Sequence, residues 1–479
     1  MKFYLTTTLP YVNAVPHMGH ALEFVQADAI ARHARAGGAE VIFNIGTDEH
    51  GDKNYRKAVE QGKDPQAYAD EYAERFRDLA KTLNISYTNF VRTTDPHHKA
   101  ATQEFWKRSA ANGDIYKHTQ KIMYCVGCEL EKTDSELEDG KCPVHPNLKI
   151  EEREEENYFF RFSKYQDALL ELYRTRPDFV VPELRMREIT AFVKNGLHDF
   201  SISRLKAKMP WGVPVPGDDA HVMYVWFDAL VNYISTLGWP KDEERFKAFW
   251  PGVQIAGKDN LRQQSAIWQA MLLSAKLSPS KQVIIHGFIT SEGEKMSKSL
   301  GNVADPLEII KKYGADALRY WLLRDISPFE DGDFTWEKFD ARYHADLANG
   351  IGNFAARVLA LAEKAGVLKD GAPDERIVEM AKRARETAET KMKEYRFHEA
   401  LGAIWELISF GDAYVNETKP WENNDARAVY NAVVILDNVA ALLAPFLPET
   451  AEKITKSIVW KSPHELTASK IGILFPRIQ

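Results

Sequence analysis

Hydrophobic and polar positions follow two periods along this chain, and the period changes with place. Phe3 to Thr8 is a short β-prone run that ends at Pro10. From Met18 to Ala36 the apolar positions, Leu22, Val25, Ala29 and Ala34 among them, take helical spacing, and Gly37-Gly38 stops the pattern. Val41 to Ile45 reads as a buried strand that closes at Gly46. Strand, helix, strand predicts a parallel βαβ unit. The texture returns with a strand at Val253 to Ala256, a helix at Leu261 to Leu277 and a strand from Val283 through His286 toward Ile289. Two such halves predict one doubly wound, Rossmann-type α/β sheet interrupted by a long insertion. After about Phe339 the chain is dominated by Ala/Leu/Lys/Glu segments to about Ile458, with breaks near Asp370 to Pro373 and at Lys419-Pro420. That pattern predicts an antiparallel all-α bundle. The expected division is 1–115 and 211–290 for the two halves of the sheet, 116–210 for the insertion, 291–340 for a connecting region and 341–479 for the bundle.

Composition narrows the picture modestly. A chain of 479 residues predicts roughly two to four domains. A net charge of −7 argues against broad non-specific nucleic-acid binding, yet allows a local basic patch. No long apolar stretch follows Lys2, so no signal peptide is expected. No apolar run approaches the ~18–20 residues of a membrane span; the nearest, Val433 to Leu447, is interrupted by Asp437 and Asn438. A cytoplasmic protein is expected. The acidic run Glu151 to Glu156 reads as a solvated face.

The three cysteines, Cys125, Cys128 and Cys142, lie within 18 residues. An odd, clustered set is a poor disulfide framework and points to a reducing compartment. With His145 the spacing is Cys-x2-Cys-x13-Cys-x2-His, which suits a closed tetrahedral Zn2+ site of structural type. Free buried thiols are the alternative.

Two segments carry candidate chemistry. His17-Met18-Gly19-His20 opens the first helix, where unpaired N–H groups and the helix dipole attract phosphate. Gly19 allows close approach to the backbone. Taken alone, this motif is as consistent with capping histidines as with a ligand site. Lys295-Met296-Ser297-Lys298-Ser299 follows the last strand of the second half and suits a loop that wraps a polyphosphate; alone, it reads more simply as a solvated turn. In a doubly wound sheet both segments fall at the carboxyl edge of the strands, where ligands bind.

Taken together, the pair resembles the two signature motifs of the class I aminoacyl-tRNA synthetases, HIGH and KMSKS. The resemblance implies ATP with Mg2+ as substrate, His17 and His20 stabilising charge on the phosphates, and Lys295 and Lys298 neutralising the leaving pyrophosphate. Gly19, Met296, Ser297 and Ser299 complete the implied ATP site.

Within that class, Thr8 to Asn13, Gly46 to Gly51, Tyr224 to Ala229 and Gly257-Lys258-Asp259 resemble segments of the methionyl-tRNA synthetases over nearly the whole chain. The resemblance implies that Leu9, Tyr11, Trp226, Ala229 and Tyr233 line a methionine pocket and that Asp48 holds the substrate ammonium. An apolar, aromatic slot suits a thioether, although core packing would explain the same aromatics. Many members carry His five residues after the aspartate equivalent to Asp259; here the residue is Gln264, preceded by Gln263. The family also carries a zinc-bearing knuckle in this insertion. Asn349, Asn353 and Arg357, spaced by four, would share one helix face. With Trp421 they resemble the family's anticodon-binding surface, helix packing being the bland alternative. A monomer that binds ATP, L-methionine and the methionine tRNA, and no membrane, is expected.

Three rival readings stand beside this one. A class I synthetase for cysteine is disfavoured by a zinc knuckle that lies outside the pocket, and one for leucine, isoleucine or valine by the 274 residues between His20 and Lys295, too few for a large editing insert. A non-catalytic tRNA-binding chain would have no use for a pyrophosphate clamp. A small-molecule nucleotidyltransferase would leave the bundle unexplained.

Overall fold

The computed structural model describes every residue except 133–135, 292, 296–303, 370–371 and 479. Residues 120–122, 130, 131, 153, 155, 294 and 295 are described by their backbone alone. The chain forms two compact units. The first comprises residues 1–16, 38–78 and 87–286, and the second residues 17–37, 79–86 and 287–479.

A six-stranded parallel sheet organises the first unit. Its strands include β1 (Lys2–Thr7), β2 (Glu40–Thr47) and β3 (Asn89–Arg92). Across the sheet the order is β3, β2, β1, Val253–Gly257, Gln282–His286 and Val180–Val181. Leu5 lies between Phe43 on one side and Val253 on the other. The expected halves thus meet as neighbours. The strands are near-continuous apolar runs because both faces are covered. Gly46 is required where β2 meets β3, since a Cβ there would come within 1.8 Å of the Val91 carbonyl oxygen. Asn44, an amide buried in this sheet, donates to Thr6 and Asn232 and accepts from Thr236, so its burial is satisfied. The strand order reverses between β1 and Val253–Gly257, which marks the crevice at the carboxyl ends of these strands as the binding position.

Several local expectations change. The helix predicted over Leu261 to Leu277 runs to Ser274, with a π-helical segment (Gln263–Ile267) inside it and a 3-10 turn (Lys258–Asn260) before it. The strand running on from Val283 ends at His286, and Ile289–Ser291 pairs in another sheet. The insertion holds a four-stranded antiparallel sheet. The acidic run is part of it: Glu151–Phe160 pairs residue by residue with Ile115–Cys125, setting Glu156 opposite Thr119. Glu152, Glu154 and Glu156 are nonetheless exposed, as a solvated face requires.

The second unit is mainly helical. Long helices span Glu375–Lys393, Phe397–Thr418 and Ala426–Leu443. Strands Leu368–Lys369, Ile458–Ser462 and Glu465–Ala468 form a small sheet where a purely helical segment was expected. Helix Ala426–Leu443 is long and apolar enough to cross a membrane by length and composition, contrary to the sequence estimate, but 67% of it is buried inside the bundle. Asp437 and Asn438 do not end it, because they lie on a side where Trp460 and Arg385 bond them.

Helix α1 (Met18–Ala36) belongs to the second unit through a buried ion pair. Arg319 is fully buried and lies 2.8 Å from Asp28. It also donates to the carbonyls of Leu83, Pro445 and Phe446. Burial pushes the Asp28 carboxyl up, but Arg319 and Arg32 outweigh it and hold its pKa below the ordinary value. A guanidinium can satisfy all these acceptors at once, whereas an ammonium is a compact point charge. Arg319→Ala is therefore expected to lower the unfolding free energy of this unit by about 3–5 kcal/mol, with Arg319→Lys recovering little of it, as read by urea denaturation.

Candidate active site and metal centre

The loop after β2 is pinned from every side except one. The Asp48 amide donates to Pro10 and its carbonyl accepts from Val12 and Asn54. This pairs the chain after β1 with the chain after β2, at Tyr11 and Asp48. Glu49 is held by both arms of Arg92 at 2.6 and 2.9 Å. His50 Nδ1 lies 2.5 Å from the buried Asp228 carboxylate, whose other oxygen is 2.8 Å from His98 Nε2. Burial pushes the Asp228 carboxyl up, but the two imidazoles more than offset this and keep it depressed.

Asp48 itself differs. It is buried, and among the described residues its Oδ1 has no hydrogen-bond partner. Burial first, then the charges of Asp228, Glu129 and Glu49, push its pKa well above the ordinary carboxylate value. Such a carboxylate lacks a cation.

The expected pocket residues converge in part. Tyr11 and Trp226 meet edge to face with centroids 6.2 Å apart. Tyr233 is buried against Trp268, and Ala229 is buried with its carbonyl accepting from Asn232. Leu9 is half-buried just past β1. Gln264 is buried in the π-helical segment, and its Oε1 accepts from Gln254 at 2.9 Å. Ser280 donates to the Gln254 carbonyl oxygen, so the Gln254 amide can only donate toward Gln264, which leaves the Gln264 Nε2–H2 as its donor end.

The metal knuckle lies in the same unit. One ligand atom from each of Cys125, Cys128, Cys142 and His145 lies within 4.8 Å of the others. Cys128 Sγ is 3.4 Å from Cys142 Sγ and 3.2 Å from His145 Nδ1. Bond lengths of ~2.3 Å to sulfur and ~2.0 Å to nitrogen imply tetrahedral edges of about 3.5–3.8 Å, so the cluster fits a four-coordinate metal. Gly127 makes room for the imidazole: a Cβ there would stand 2.5 Å from His145 Cγ. Neither this glycine nor Glu129, which follows Cys128, was singled out from the sequence. The signal for Gly127 is its place between the first two cysteines, where the turn must pass close to a fourth ligand.

In the second unit, His17 and His20 both cap α1. His17 Nδ1 accepts from Gly19 N at 3.1 Å, and His20 Nδ1 accepts from His17 N at 3.2 Å. Their rings stack at 3.8 Å. Burial and the neighbouring His17 lower the His20 pKa, so its imidazole is neutral. With its Nδ1 accepting, the neutral His20 ring carries its proton on Nε2, and His17, whose Nδ1 also accepts, has Nε2 as its donor. Capping and ligand readings are thus compatible. Lys295 pairs with Thr290 in a short hairpin. Met296, Ser297, Lys298 and Ser299 lie outside the described residues.

The single stripe expected from Asn349, Asn353 and Arg357 is broken. Tyr343–Gly352 is π-helical and Gly350 departs from helical backbone (φ −83°, ψ −106°), so a spacing of four does not keep Asn349 in line. Asn349 instead accepts from Arg477. Asn353 is exposed. Arg357 donates to Asp412 and Asn416 and lies 6.0 Å from the ring centre of Trp421, which is 44% exposed.

This architecture and motif set recur in known proteins. The family described as tRNA synthetases class I (M) matches residues 3–152 and 135–359, and an anticodon-binding domain of tRNA ligases matches 374–471. The methionine–tRNA ligase of Thermotoga maritima is 42% identical over 99% of this chain and 78% of its own length. That of Brucella suis is 42% identical over 95% of this chain and 91% of its own. A structure of Mycobacterium tuberculosis methionyl-tRNA synthetase in complex with methionyl-adenylate superposes with a TM-score of 0.93 at 36% identity, covering 99% of this chain and all of that one. A parallel sheet with its strand reversal, a histidine-capped first helix and a matched anticodon-binding segment define a class I tRNA synthetase. Within that class, the chain belongs to the methionine–tRNA ligase family.

The isolated carboxylate at Asp48 has a consequence for stability. An acid whose pKa is raised by folding weakens the fold where it must ionise. Asp48→Asn should therefore raise the melting temperature of the ligand-free protein at neutral pH, by an amount corresponding to about 1–3 kcal/mol. The gain should shrink as pH falls toward the ordinary carboxylate range, where Asp48 is protonated in both states. Melts at several pH values read this directly.

Proposed function

We propose that this chain activates L-methionine with ATP and transfers it to the 3′ end of its tRNA. The observation that carries this reading is the buried Asp48, whose Oδ1 has no partner among the described residues, beside the Tyr11–Trp226 aromatic pair: an anion for the substrate ammonium next to an apolar slot for its thioether. Family membership supports it, as does the methionyl-adenylate held by the M. tuberculosis relative.

In the first step a carboxylate oxygen of methionine attacks the α-phosphorus. A new O–P bond forms, the α–β bridging bond breaks, and pyrophosphate leaves. No protein nucleophile is needed, so positioning and charge stabilisation carry the step. The Nε2–H groups of His17 and His20 donate to phosphate oxygens as charge builds, with Gly19 allowing close approach. Lys295 and Lys298, with Met296, Ser297 and Ser299 of the same loop, take the leaving pyrophosphate; ATP enters with Mg2+, which screens its phosphates. Leu9, Tyr11, Trp226, Ala229 and Tyr233 wall the side-chain slot, and the Gln264 Nε2–H2 donates toward the sulfur. In the second step a hydroxyl of the terminal ribose attacks the carbonyl of the adenylate, and AMP leaves. Asn349, Asn353, Arg357 and Trp421 read the anticodon, with Trp421 stacking on an unpaired base. Arg357, Asn353 and Trp421 act as one patch, and Asn349 joins from beyond the kink. Cys125, Cys128, Cys142 and His145 hold Zn2+, which when bound cross-links the knuckle and leaves no open coordination position. The working unit is a monomer.

Amino-acid-dependent ATP–pyrophosphate exchange tests the reading, with methionine, leucine, isoleucine, valine and cysteine compared side by side. Methionine alone is expected to support exchange, and Lys298→Ala to slow it by about 10²-fold or more; exchange with another amino acid would overturn the pocket assignment. Metal analysis is expected to return about one zinc per chain. Gly127→Ala, by crowding His145, should weaken metal retention against a chelator by about 10-fold or more.

A further inference from the structure

Glu129 is a buried carboxylate that the synthetase reading leaves without a role. It directly follows Cys128, and its backbone takes a left-handed conformation (φ 51°) that a β-carbon disfavours. Two anchors hold it there. The Tyr224 hydroxyl donates to its carbonyl, and its Oε1 accepts from the Lys53 amide at 2.7 Å. The second bond caps α2 (Asp52–Glu60), the helix that begins just after the Asp48 loop. Gly51 permits this approach, since a Cβ there would lie 2.8 Å from Glu129 Oε2.

Helix capping accounts for Oε1 and leaves Oε2 unexplained. Among the described residues neither Oε2 nor Asp48 Oδ1 has a close hydrogen-bond partner, and the buried Tyr11 hydroxyl faces Glu129 as a weak donor that partly offsets the burial of its carboxylate. These three groups belong together. Tyr11 and Asp48 are bridge partners, and Asp48 is three residues from the Gly51 that touches Glu129. Buried acceptors are rarely left unpaired in a native fold. Two carboxylate oxygens and a phenol oxygen offer three acceptors, and a protonated primary amine offers three donors.

We propose that Glu129 is a substrate-binding residue, which completes with Asp48 and Tyr11 a three-acceptor cradle for the α-ammonium of the amino acid. The inference rests on methionine being the substrate. It ties the knuckle to the amino-acid site, because the residue after Cys128 reaches the ammonium. It also assigns Glu129 a selective task, the rejection of ligands that match methionine in shape but lack the amine.

Glu129→Gln keeps an acceptor for the Lys53 amide and removes the charge. The probes are L-methionine, L-methioninol and 4-(methylthio)butan-1-ol, the last being methioninol without its amine. Loss of a charge-assisted hydrogen bond corresponds to about 10–100-fold in affinity. Glu129→Gln should raise the KM for methionine and the inhibition constant of methioninol by that factor. The inhibition constant of the amine-free alcohol, the KM for ATP and the metal content should stay as in the parent protein. Unchanged methioninol inhibition, or parallel loss for both alcohols, would overturn the proposal and leave Glu129 as a cap. If Glu129→Gln sheds its metal, Glu129→Asp takes its place. Its ratio of methioninol to amine-free alcohol affinity should then fall, and an unchanged ratio would overturn the proposal. Failure of the parent protein itself to exchange with methionine would instead remove the substrate reading beneath it.

Discussion

Asp228 is a fully buried carboxylate placed between two imidazoles, and the proposed amino-acid site depends on it. Its oxygens reach His50 after β2 and His98 in the helix Pro96–Ala111, while its own segment carries Trp226 and Ala229. Three stretches distant in sequence are therefore joined at one charge. A buried ion without partners would be costly, so the geometry of all three is tightly specified. His50 lies two residues beyond Asp48, and Trp226 two residues before Asp228. Fixing the imidazole to the carboxylate thus sets the distance between the anionic and aromatic sides of the pocket.

The same region separates charges answered within the fold from charges that are not. Glu49 is answered by Arg92, and Asp228 by two histidines. Among the described residues, Asp48 and Glu129 each retain an oxygen with no close partner. A fold that leaves two such groups buried is less stable than it could be, and sites that bind charged ligands accept that cost. The Nδ1-accepting histidines that open α1 divide their ring nitrogens in a related way: Nδ1 closes the helix, and Nε2 is left as the donor atom.

Helical and strand periods carried most of the architecture. The limits Met18–Ala36 follow from apolar spacing and a double glycine, and the strands at 41–45, 253–256 and 283–286 from short apolar runs bounded by turn residues. Failures occurred where local period and long-range pairing disagree. The hairpin Ile458–Ser462 with Glu465–Ala468 is half-exposed and too short for a strong pattern. The π-helical stretches at Gln263–Ile267 and Tyr343–Gly352 shift the side-chain phase in a way that spacing alone does not register, and the stripe expected from Asn349, Asn353 and Arg357 is broken for that reason.

The sequence by itself determined the chemistry available: a histidine-flanked helix start, a lysine-rich loop and four metal-type ligands at short separations. Short separations constrain geometry directly, since the chain between the ligands can only turn in a few ways. Tertiary structure alone decided which residues share a pocket. Tyr11, Asp48 and Glu129 are brought into one electrostatic neighbourhood by sheet pairing and by the knuckle folding back onto α2, and no local period links positions so far apart. It also decided which buried carboxylates are neutralised by the protein and which are left for a ligand, because that depends on how every neighbouring element packs.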